Sequence, residues 1–301
     1  MKSFIKLILT VALFVLAFRV VDFDSVKRIT MGVNVEIALL GVIFQLASTV
    51  LAAYRWSLIM QALDFHERFF YYVGSYFKGM FFNQALPGSI GGDAVRVLEL
   101  GAKGYSKKEA FFGIFLDRIV GLAGLLVLNL VANLLSPDLL PAWMFHLITM
   151  ITAGGLASFV ILLGLKKITL LRATKITSMV ADLSSRFGIV YNGWRGVGLQ
   201  VGLSVAIHFL SIVALYEIAR AVGMRLTLDV FLVAVPPVFL LTILPISLAG
   251  WGVREGAMVA IFMMIGANKE MILSVSILYG VMLLVSSLPG VVVWLRGKKL
   301  V

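Results

Sequence analysis

The sequence contains no cysteine and only three histidines. Without cysteine, the chain has no disulfide bond, thiolate metal site or cysteine nucleophile. His66, His146 and His208 lie far apart and form no HExxH-like pattern, so we predict no metal site. Charged residues are also scarce, at 14% of the chain, whereas 61% of residues are hydrophobic and the mean hydropathy is +1.04. We therefore expect an integral membrane protein and not a soluble domain.

Acidic residues are the scarcer of the two charged types, with 15 Asp and Glu against 26 Lys and Arg. No basic run is interleaved with a polar soluble module, so we expect no nucleic-acid partner. In a membrane protein, cations instead mark the cytoplasmic loops. Most of them lie at the termini and in segments 55–108 and 166–195. This distribution predicts a multi-pass protein of the cell membrane, plasma or inner, with both termini in the cytoplasm.

Long apolar runs predict about six full transmembrane helices. Each of these runs is taken to cross a hydrocarbon core of about 30 Å at about 1.5 Å per residue. The predicted spans are residues 7–21, 35–60, 110–135, 143–165, 197–222 and 270–295. The first run lacks a small-residue cleavage site, which favours an uncleaved span over a signal peptide. Tyr54, Arg55 and Trp56, near the end of the second run, are interpreted as interfacial anchors.

An eleven-residue stretch occurs twice. Residues 86–96 recur as residues 244–254 at an offset of 158, with Leu, Pro, Ser, Gly, Val and Arg identical at six positions. Each copy places a proline and glycines before an arginine inside an apolar chain, which is typical of a broken membrane helix. The segment 93–109 after the first copy is too charged to span lipid, so the chain is expected to return to the side it left. For the second copy, hydropathy alone does not distinguish a full span from a re-entrant pair, because residues 229–249 are just long enough to cross the membrane. The match to the first copy favours a second re-entrant pair.

The position of the two copies predicts an inverted repeat. Three predicted spans separate them, and an odd number of crossings places them on opposite faces of the membrane. The repeat units are residues 35–135 and 197–296, within a single membrane domain, 1–301. The segment 166–195 is predicted to be a cytoplasmic, basic, amphipathic connector that binds anionic lipid headgroups, with a solvated connecting helix as the alternative. The expected fold is an all-α polytopic membrane protein with about six full transmembrane helices and two re-entrant broken helix pairs in an inverted repeat.

The two re-entrant tips are the predicted substrate site. Their glycines allow close approach to a ligand, their serines offer hydroxyls, and each following half-helix presents its positive N-terminal end. Arg96 and Arg254 lie one turn into these half-helices, where a guanidinium can bind phosphate. Alternatively, each arginine only neutralises a neighbouring acid, such as Asp93 or Glu255, or extends to the interface. The predicted substrate-binding residues are Asn83, Pro87, Ser89, Gly91, Gly92, Asp93, Arg96, Asp117, Arg118, Ser247, Gly250, Gly252, Arg254 and Glu255.

Asp117 and Arg118 are charged residues within a predicted span. At about 1.5 Å per residue they lie roughly 12 Å beyond Glu109, near the bilayer midplane. Adjacent residues on a helix do not face each other, so each needs a partner elsewhere, either an opposite charge at a tip or a bound headgroup. We expect them to form a midplane relay, with a purely structural buried pair as the alternative. Glu217 and Arg220, three residues apart, are expected to pair with each other.

These motifs resemble the transmembrane region of lysylphosphatidylglycerol synthases, a family of flippase-like integral membrane proteins. The resemblance is carried by Asn83, residues 86–88, residues 91–93, Arg96, residues 117–122, residues 244–245, Ser247 and residues 250–255. It covers nearly the whole chain, although Asp117 stands where family members usually have glutamate. The resemblance implies movement of a lipid between leaflets, or a role in another lipid or glycolipid pathway. No soluble aminoacyl transferase domain occurs up to Val301, so the synthase activity is not expected here.

The predicted function is a lipid flippase or transporter that binds an anionic, phosphate-bearing headgroup and moves it between leaflets. The expected partner is a membrane phospholipid or a polyprenyl-linked lipid, and a homo-oligomer is left open. The alternative is a membrane enzyme or accessory subunit in lipid-linked glycan or phospholipid synthesis, or a scaffold for such enzymes. The sequence offers no nucleophile elbow and no acid pair apart from Asp93 with Glu255, so no catalytic residue, cofactor or metal is expected.

Overall fold

The computed structural model describes residues 22–85, 91–164, 175–191, 193–243, 247 and 249–297. Regular secondary structure in these residues is entirely helical, in eleven helices. They are α1 (Phe23–Met31), α2 (Val35–Ala62), α3 (Phe69–Ala85), α4 (Gly91–Ala102), α5 (Lys107–Leu135), α6 (Ala142–Gly164), α7 (Lys175–Val190), α8 (Gly193–Ala221), α9 (Leu228–Ile243), α10 (Val253–Met264) and α11 (Lys269–Gly297). The predicted all-α polytopic class is confirmed.

Five of these helices, α2, α5, α6, α8 and α11, are long and apolar enough to cross a membrane. They correspond to five of the six predicted spans, and the protein is therefore a multi-pass membrane protein. The sixth predicted span, residues 7–21, lies outside the described residues. Helix α9 is apolar but has only 16 residues, and α1 is a short helix that the hydropathy pattern did not predict.

A turn divides the charged segment that was expected to form one arm after the first tip. Helix α4 ends at Ala102, Gly104 has a φ of 90°, and α5 already begins at Lys107. The Ser106 hydroxyl accepts a hydrogen bond from the backbone N–H of Glu109 at 3.4 Å and so caps α5. The span α5 therefore begins three residues before its predicted start at residue 110, and Lys107 and Lys108 belong to its first turn.

The sequence repeat corresponds to two four-helix segments with the same order of helix lengths. Helices α2 to α5 have 28, 17, 12 and 29 residues. Helices α8 to α11 have 29, 16, 12 and 29 residues. The leading helices α2 and α8 pack along each other, while α3 packs on α11 and α9 packs on α5. The second helix of each segment thus contacts the last helix of the other.

Glycines let several of these helices approach backbone to backbone. A Cβ on Gly92 of α4 would collide with the carbonyl group of Gly79 in α3. A Cβ on Gly41 of α2 would lie 2.9 Å from the carbonyl oxygen of Ala214 in α8. Such small-residue contacts are the usual basis of helix packing in membranes, where lipid tails remove the hydrophobic drive for association. The contact of Gly92 with Gly79 holds the short helices α3 and α4 against each other beside the first motif.

Helix α7 forms part of the predicted connector and docks on the start of α5. Arg186 Nε donates to Glu109 at 2.6 Å, and Phe187 is buried against Tyr191 and Phe159. This hydrogen bond raises the pKa of the Arg186 guanidinium above its ordinary value. Phe187 was expected on a lipid-facing or solvated helix, but at this end of α7 it contacts protein instead. Residues 165–174 of the connector lie outside the described residues.

Candidate functional site

A cavity of about 560 Å³ lies where helices of the two four-helix segments meet. Its volume is in the range of small-molecule binding sites. Its polar lining residues are Arg55, Tyr76, Asp117, Arg118, His208, Ser211, Thr242, Arg254 and Tyr279. Its apolar lining includes Phe115 and Leu122 of α5 and Phe239 and Ile243 of α9. The cavity thus combines a cationic polar wall with an apolar wall.

Arg55 and Asp117 form a buried ion pair at the base of this cavity. The Arg55 Nε and Nη2 atoms donate to Asp117 Oδ1 at 3.0 and 2.8 Å, and Nη2 also donates to the Asp117 carbonyl oxygen at 3.0 Å. Arg55 Nη1 donates to the Ser204 hydroxyl at 2.7 Å. The pair therefore joins α2, α5 and α8. Gly121 leaves the space for this guanidinium, because a Cβ there would lie 3.3 Å from its nitrogens.

The interpretation of Arg55 and Trp56 as interfacial anchors is therefore wrong. Both side chains are buried, and of the three predicted anchors only Tyr54 is exposed. The reason is the length of the helix, since α2 continues to Ala62 and places Arg55 almost two turns inside its end.

Arg118 reaches the cavity from α5 and pairs with the first turn of α4. Its Nε donates to Asp93 Oδ2 at 2.9 Å, and 47% of its side chain is exposed. An opposite charge near a tip is the kind of partner that the sequence predicted for Arg118. Asp117, the adjacent residue, is instead held by Arg55 and lies 3.6 Å from Arg96 Nη2.

Arg96 is buried behind the cavity wall, with 3% of the residue exposed. Its Nη1 donates to Asp93 Oδ1 at 3.2 Å. The guanidinium carbon lies 3.8 Å from the ring centroid of Trp56 and 4.6 Å from that of Tyr76. Both distances are suitable for cation–π contacts. Within the described part of the chain, its Nε and Nη2 atoms have no hydrogen-bond acceptor.

Arg96 was predicted to hold the anion directly, but it is not among the cavity-lining residues. Tyr76 and Asp117, which contact Arg96, line the cavity in its place. The first repeat unit contributes Arg118 as the exposed cation. Arg96 is linked to Arg118 through Asp93, which pairs with both arginines.

Arg254, the equivalent of Arg96 in the second motif, does line the cavity. It is only 5% exposed, and its Nη2 donates to Glu255 Oε1 at 2.6 Å. Its Nε lies 3.1 Å from the same carboxylate oxygen and 3.3 Å from the Ser276 hydroxyl. The Trp251 ring centroid lies 4.6 Å from the guanidinium carbon, so aromatic packing on the cation recurs in the second unit. Arg254 thus has both a neutralising neighbour and access to the cavity.

The turn before α10 depends on its glycines. Gly250 and Gly252 have φ values of 80° and 83°, and Ala249 has a φ of 48°. Glycine adopts this left-handed region without the strain that a side chain brings. The Gly252 N–H donates to Glu255 Oε2 at 2.5 Å, so the acid that neutralises Arg254 also caps α10. These glycines shape the turn that positions Arg254.

At the first motif, Asn83 and Gly92 were predicted to contact a ligand, but both already have contacts within the protein. Asn83 Oδ1 accepts from the Gly92 N–H at 2.7 Å and caps α4, which begins at Gly91. Gly92 is in addition needed for the close contact between α3 and α4. Pro87 and Ser89 lie outside the described residues.

At the second motif, Ser247 is buried, and its hydroxyl has no hydrogen-bond partner among the described residues. Ser247 is not among the residues that line the cavity. Glu217 and Arg220 pair with each other at 2.9 Å, as predicted, and they lie outside the cavity lining.

Sequence reasoning missed several contributors to the polar wall, including Arg55, His208 and Tyr279. Arg55 carried a signal, because a charged residue inside an apolar run usually has a buried partner or a function. His208 was interpreted as an isolated histidine, but it lines the cavity, and its Nε2 lies 2.9 Å from the Gly121 carbonyl oxygen. Tyr279 of α11 carried no signal, because only the packing of α11 brings it to the cavity. Across the described ranges, no cluster of three or more acidic or histidine residues could hold a metal ion.

A family model described as Lysylphosphatidylglycerol synthase TM region matches residues 3–290. The matched range contains every residue that lines the cavity. No curated protein matches the chain.

Proposed function

The chain belongs to the family of the lysylphosphatidylglycerol synthase TM region, and on that premise we propose that it is a lipid flippase. It binds the anionic, phosphate-bearing headgroup of a membrane phospholipid or polyprenyl-linked lipid in the cavity and moves it between leaflets. The observation that carries the proposal is a single cavity, lined by both repeat units, in which Arg118 of one unit and Arg254 of the other are present together.

Two arginines with acidic partners suit reversible binding of a phosphate. A guanidinium binds phosphate through two parallel hydrogen bonds, and such charge-assisted bonds are strong in a site of low dielectric constant. Asp93 and Glu255 are the acidic partners of Arg118 and Arg254 when no anion is bound, so neither arginine is an isolated charge in the membrane. An arriving phosphate gives a further acceptor to Arg118, which shares Asp93 with Arg96.

The apolar wall supports a lipid as the ligand, in preference to a soluble anion. Phe115 and Leu122 of α5 and Ile243 of α9 line the cavity and are exposed. Exposed apolar side chains beside the polar wall would contact the acyl chains of a bound lipid. A lipid whose phosphate is bound by Arg118 in the cavity can therefore keep its acyl chains in the bilayer.

Movement between leaflets follows from the inverted arrangement that we propose for units 35–135 and 197–296. Helices α3 and α4, with 17 and 12 residues, and α9 and α10, with 16 and 12, are then re-entrant pairs. At about 1.5 Å per residue, a 12-residue helix is too short to cross about 30 Å of hydrocarbon. Re-entrant pairs from opposite faces would let the cavity open to each leaflet in turn.

The orientation is part of the same proposal. From the distribution of cations along the sequence, we propose that both termini and the 166–195 connector lie on the cytoplasmic side of the plasma or inner membrane. There the basic connector would contact anionic headgroups.

Transport of a fluorescent phosphatidylglycerol in proteoliposomes tests this function. Arg118→Gln and Arg254→Gln should each slow translocation by about tenfold or more, since each removes a charge-assisted contact to the headgroup. Arg220→Gln is a matched control, because Arg220, like Arg118, has 47% of its side chain exposed and an acid at 2.9 Å, but it does not line the cavity. Unchanged transport in both cavity variants would overturn the proposal, and a new lipid species in the same vesicles would instead assign a membrane enzyme.

A further inference from the structure

Building on the proposed transport of a lipid, we propose that the cavity selects headgroups with a single negative charge, and therefore phosphodiester monoanions. The basis is a chain of ion pairs that begins and ends with arginine and presents its most exposed member, Arg118, to the cavity. The ligand would supply the negative charge that this chain lacks.

The ion-pair chain alternates in sign along five residues. Arg55 pairs with Asp117 at 2.8 Å, and Asp117 lies 3.6 Å from Arg96. Arg96 pairs with Asp93 at 3.2 Å, and Asp93 pairs with Arg118 at 2.9 Å. Each aspartate is shared by two arginines. The chain therefore contains three positive and two negative groups, and its net charge is +1.

The excess positive charge of this chain is most exposed at Arg118. Arg55 and Arg118 both line the cavity, but only 5% of the Arg55 side chain is exposed against 47% of the Arg118 side chain. Arg96, with 4% of its side chain exposed, does not line the cavity. The second charged group of the cavity, Arg254 with Glu255, is neutral as a pair. With histidine counted as neutral, the described residues of the site therefore carry one net positive charge, which is most exposed at Arg118.

The undescribed parts of the two motifs do not alter this charge. Residues 86–90 and 244–248 contain no charged side chain in the sequence.

A net charge inside the hydrocarbon region is costly unless it is compensated. A phosphodiester at Arg118 extends the alternation by one negative group and brings the site to neutrality. A phosphomonoester or diphosphate would reverse the net charge and repel the nearby Asp93. A zwitterionic headgroup would leave its ammonium group without an acid of its own, because Asp93, Asp117 and Glu255 are already shared or paired.

Binding of lipids with identical acyl chains to the purified full chain tests this rule. Phosphatidylglycerol, phosphatidylcholine and phosphatidic acid are added separately in detergent, and bound lipid is measured by native mass spectrometry. We expect phosphatidylglycerol to bind about tenfold tighter than either of the others, the ratio that a difference of about 1.4 kcal/mol gives. Equal binding of phosphatidylglycerol and phosphatidic acid would overturn the inference.

A variant that changes only the charge makes the test sharper. Asp93→Asn keeps the shape of the side chain but raises the net charge of the site to +2, so the preference should move towards phosphatidic acid by about tenfold. Glu217→Gln is the control, because it removes an arginine-paired carboxylate outside the cavity and should leave the preference unchanged. An unchanged preference in Asp93→Asn would contradict the charge rule.

If Asp93→Asn does not fold, Arg118→Gln provides the same test in the other direction. It brings the site to a net charge of zero, and the preference for phosphatidylglycerol over phosphatidylcholine should disappear. Retention of that preference would overturn the inference. Glycerophosphoglycerol, added as a competitor, identifies the source of the phosphodiester: weak competition supports a lipid, and competition at concentrations equal to the lipid supports the charge rule with a soluble ligand.

The charge rule and the transport function can fail separately. Selective binding without movement between leaflets would remove the proposed function and leave the charge rule in place. Transport with equal binding of the three lipids would do the reverse.

Discussion

Replacing Asp117 by asparagine is expected to destabilise the membrane domain by about 3 kcal/mol, because it leaves the buried Arg55 guanidinium without its counter-ion and removes one of the two acids near Arg96. Removing one partner of a buried ion pair typically costs about 3–5 kcal/mol. Asp117 Oδ1 accepts from two nitrogens of Arg55, and its Oδ2 lies 3.6 Å from Arg96. The asparagine retains the backbone carbonyl, and Ser204 still binds Arg55, so the lower end of that range applies.

Thermal unfolding of the purified protein in detergent, followed by tryptophan fluorescence, measures this effect. At about 2–4 °C per kcal/mol, the apparent Tm should fall by roughly 6–12 °C. Glu217→Gln is the control and should cost about 1 kcal/mol or less, since its partner Arg220 is half exposed and can be solvated. The double variant Arg55→Met, Asp117→Leu should recover part of the loss, because an apolar pair leaves no buried charge unpaired.

The reasoning would be refuted if Asp117→Asn and Glu217→Gln lowered the Tm equally. The Arg55–Asp117 contact would then contribute no more than an exposed ion pair.

Two other changes test the packing around the site. Gly92→Ala should destabilise the protein by about 1–3 kcal/mol, because the added Cβ collides with the Gly79 carbonyl. Gly256→Ala is the control and should be neutral or slightly stabilising, because the space around Gly256 is open. Equal effects of the two variants on the Tm would refute the close contact between α3 and α4. Glu109→Gln should loosen α7, because a neutral amide is a weaker acceptor for Arg186 than the carboxylate, and hydrogen exchange in α7 should rise while that in α11 stays unchanged. Unaltered exchange in α7 would show that its apolar contacts alone hold it in place.

The large features of the fold could be predicted because they depend on the composition of the local sequence. A run of apolar residues long enough to cross hydrocarbon has few stable alternatives to a helix, so five predicted spans reappear as α2, α5, α6, α8 and α11. The repeat at an offset of 158 predicted the units 35–135 and 197–296, and the structure has two four-helix segments that begin at Val35 and Gly193. Neither prediction required knowledge of which helices touch.

The details of the site depend on contacts between distant segments, which the sequence does not encode locally. Arg55 and Asp117 are 62 residues apart, and only the packing of α2 on α5 makes them partners. Asn83 was predicted to bind the substrate, but its amide oxygen caps α4, because a helix N-terminus is satisfied as well by a nearby amide oxygen as by a ligand. Arg96 was predicted to hold the anion, but Arg118, which shares Asp93 with Arg96, lines the cavity and Arg96 does not.

The central claim is that the cavity provides the path of a lipid headgroup between leaflets, and the accessibility of a single introduced cysteine tests it most directly. Because the sequence has no native cysteine, Thr242→Cys, which lies in the cavity wall on α9, would be the only reactive thiol. We predict that a membrane-impermeant thiol reagent labels it from either side of a proteoliposome, and that phosphatidylglycerol slows labelling from both sides. Labelling from one side only, at a rate that the lipid does not change, would contradict the account.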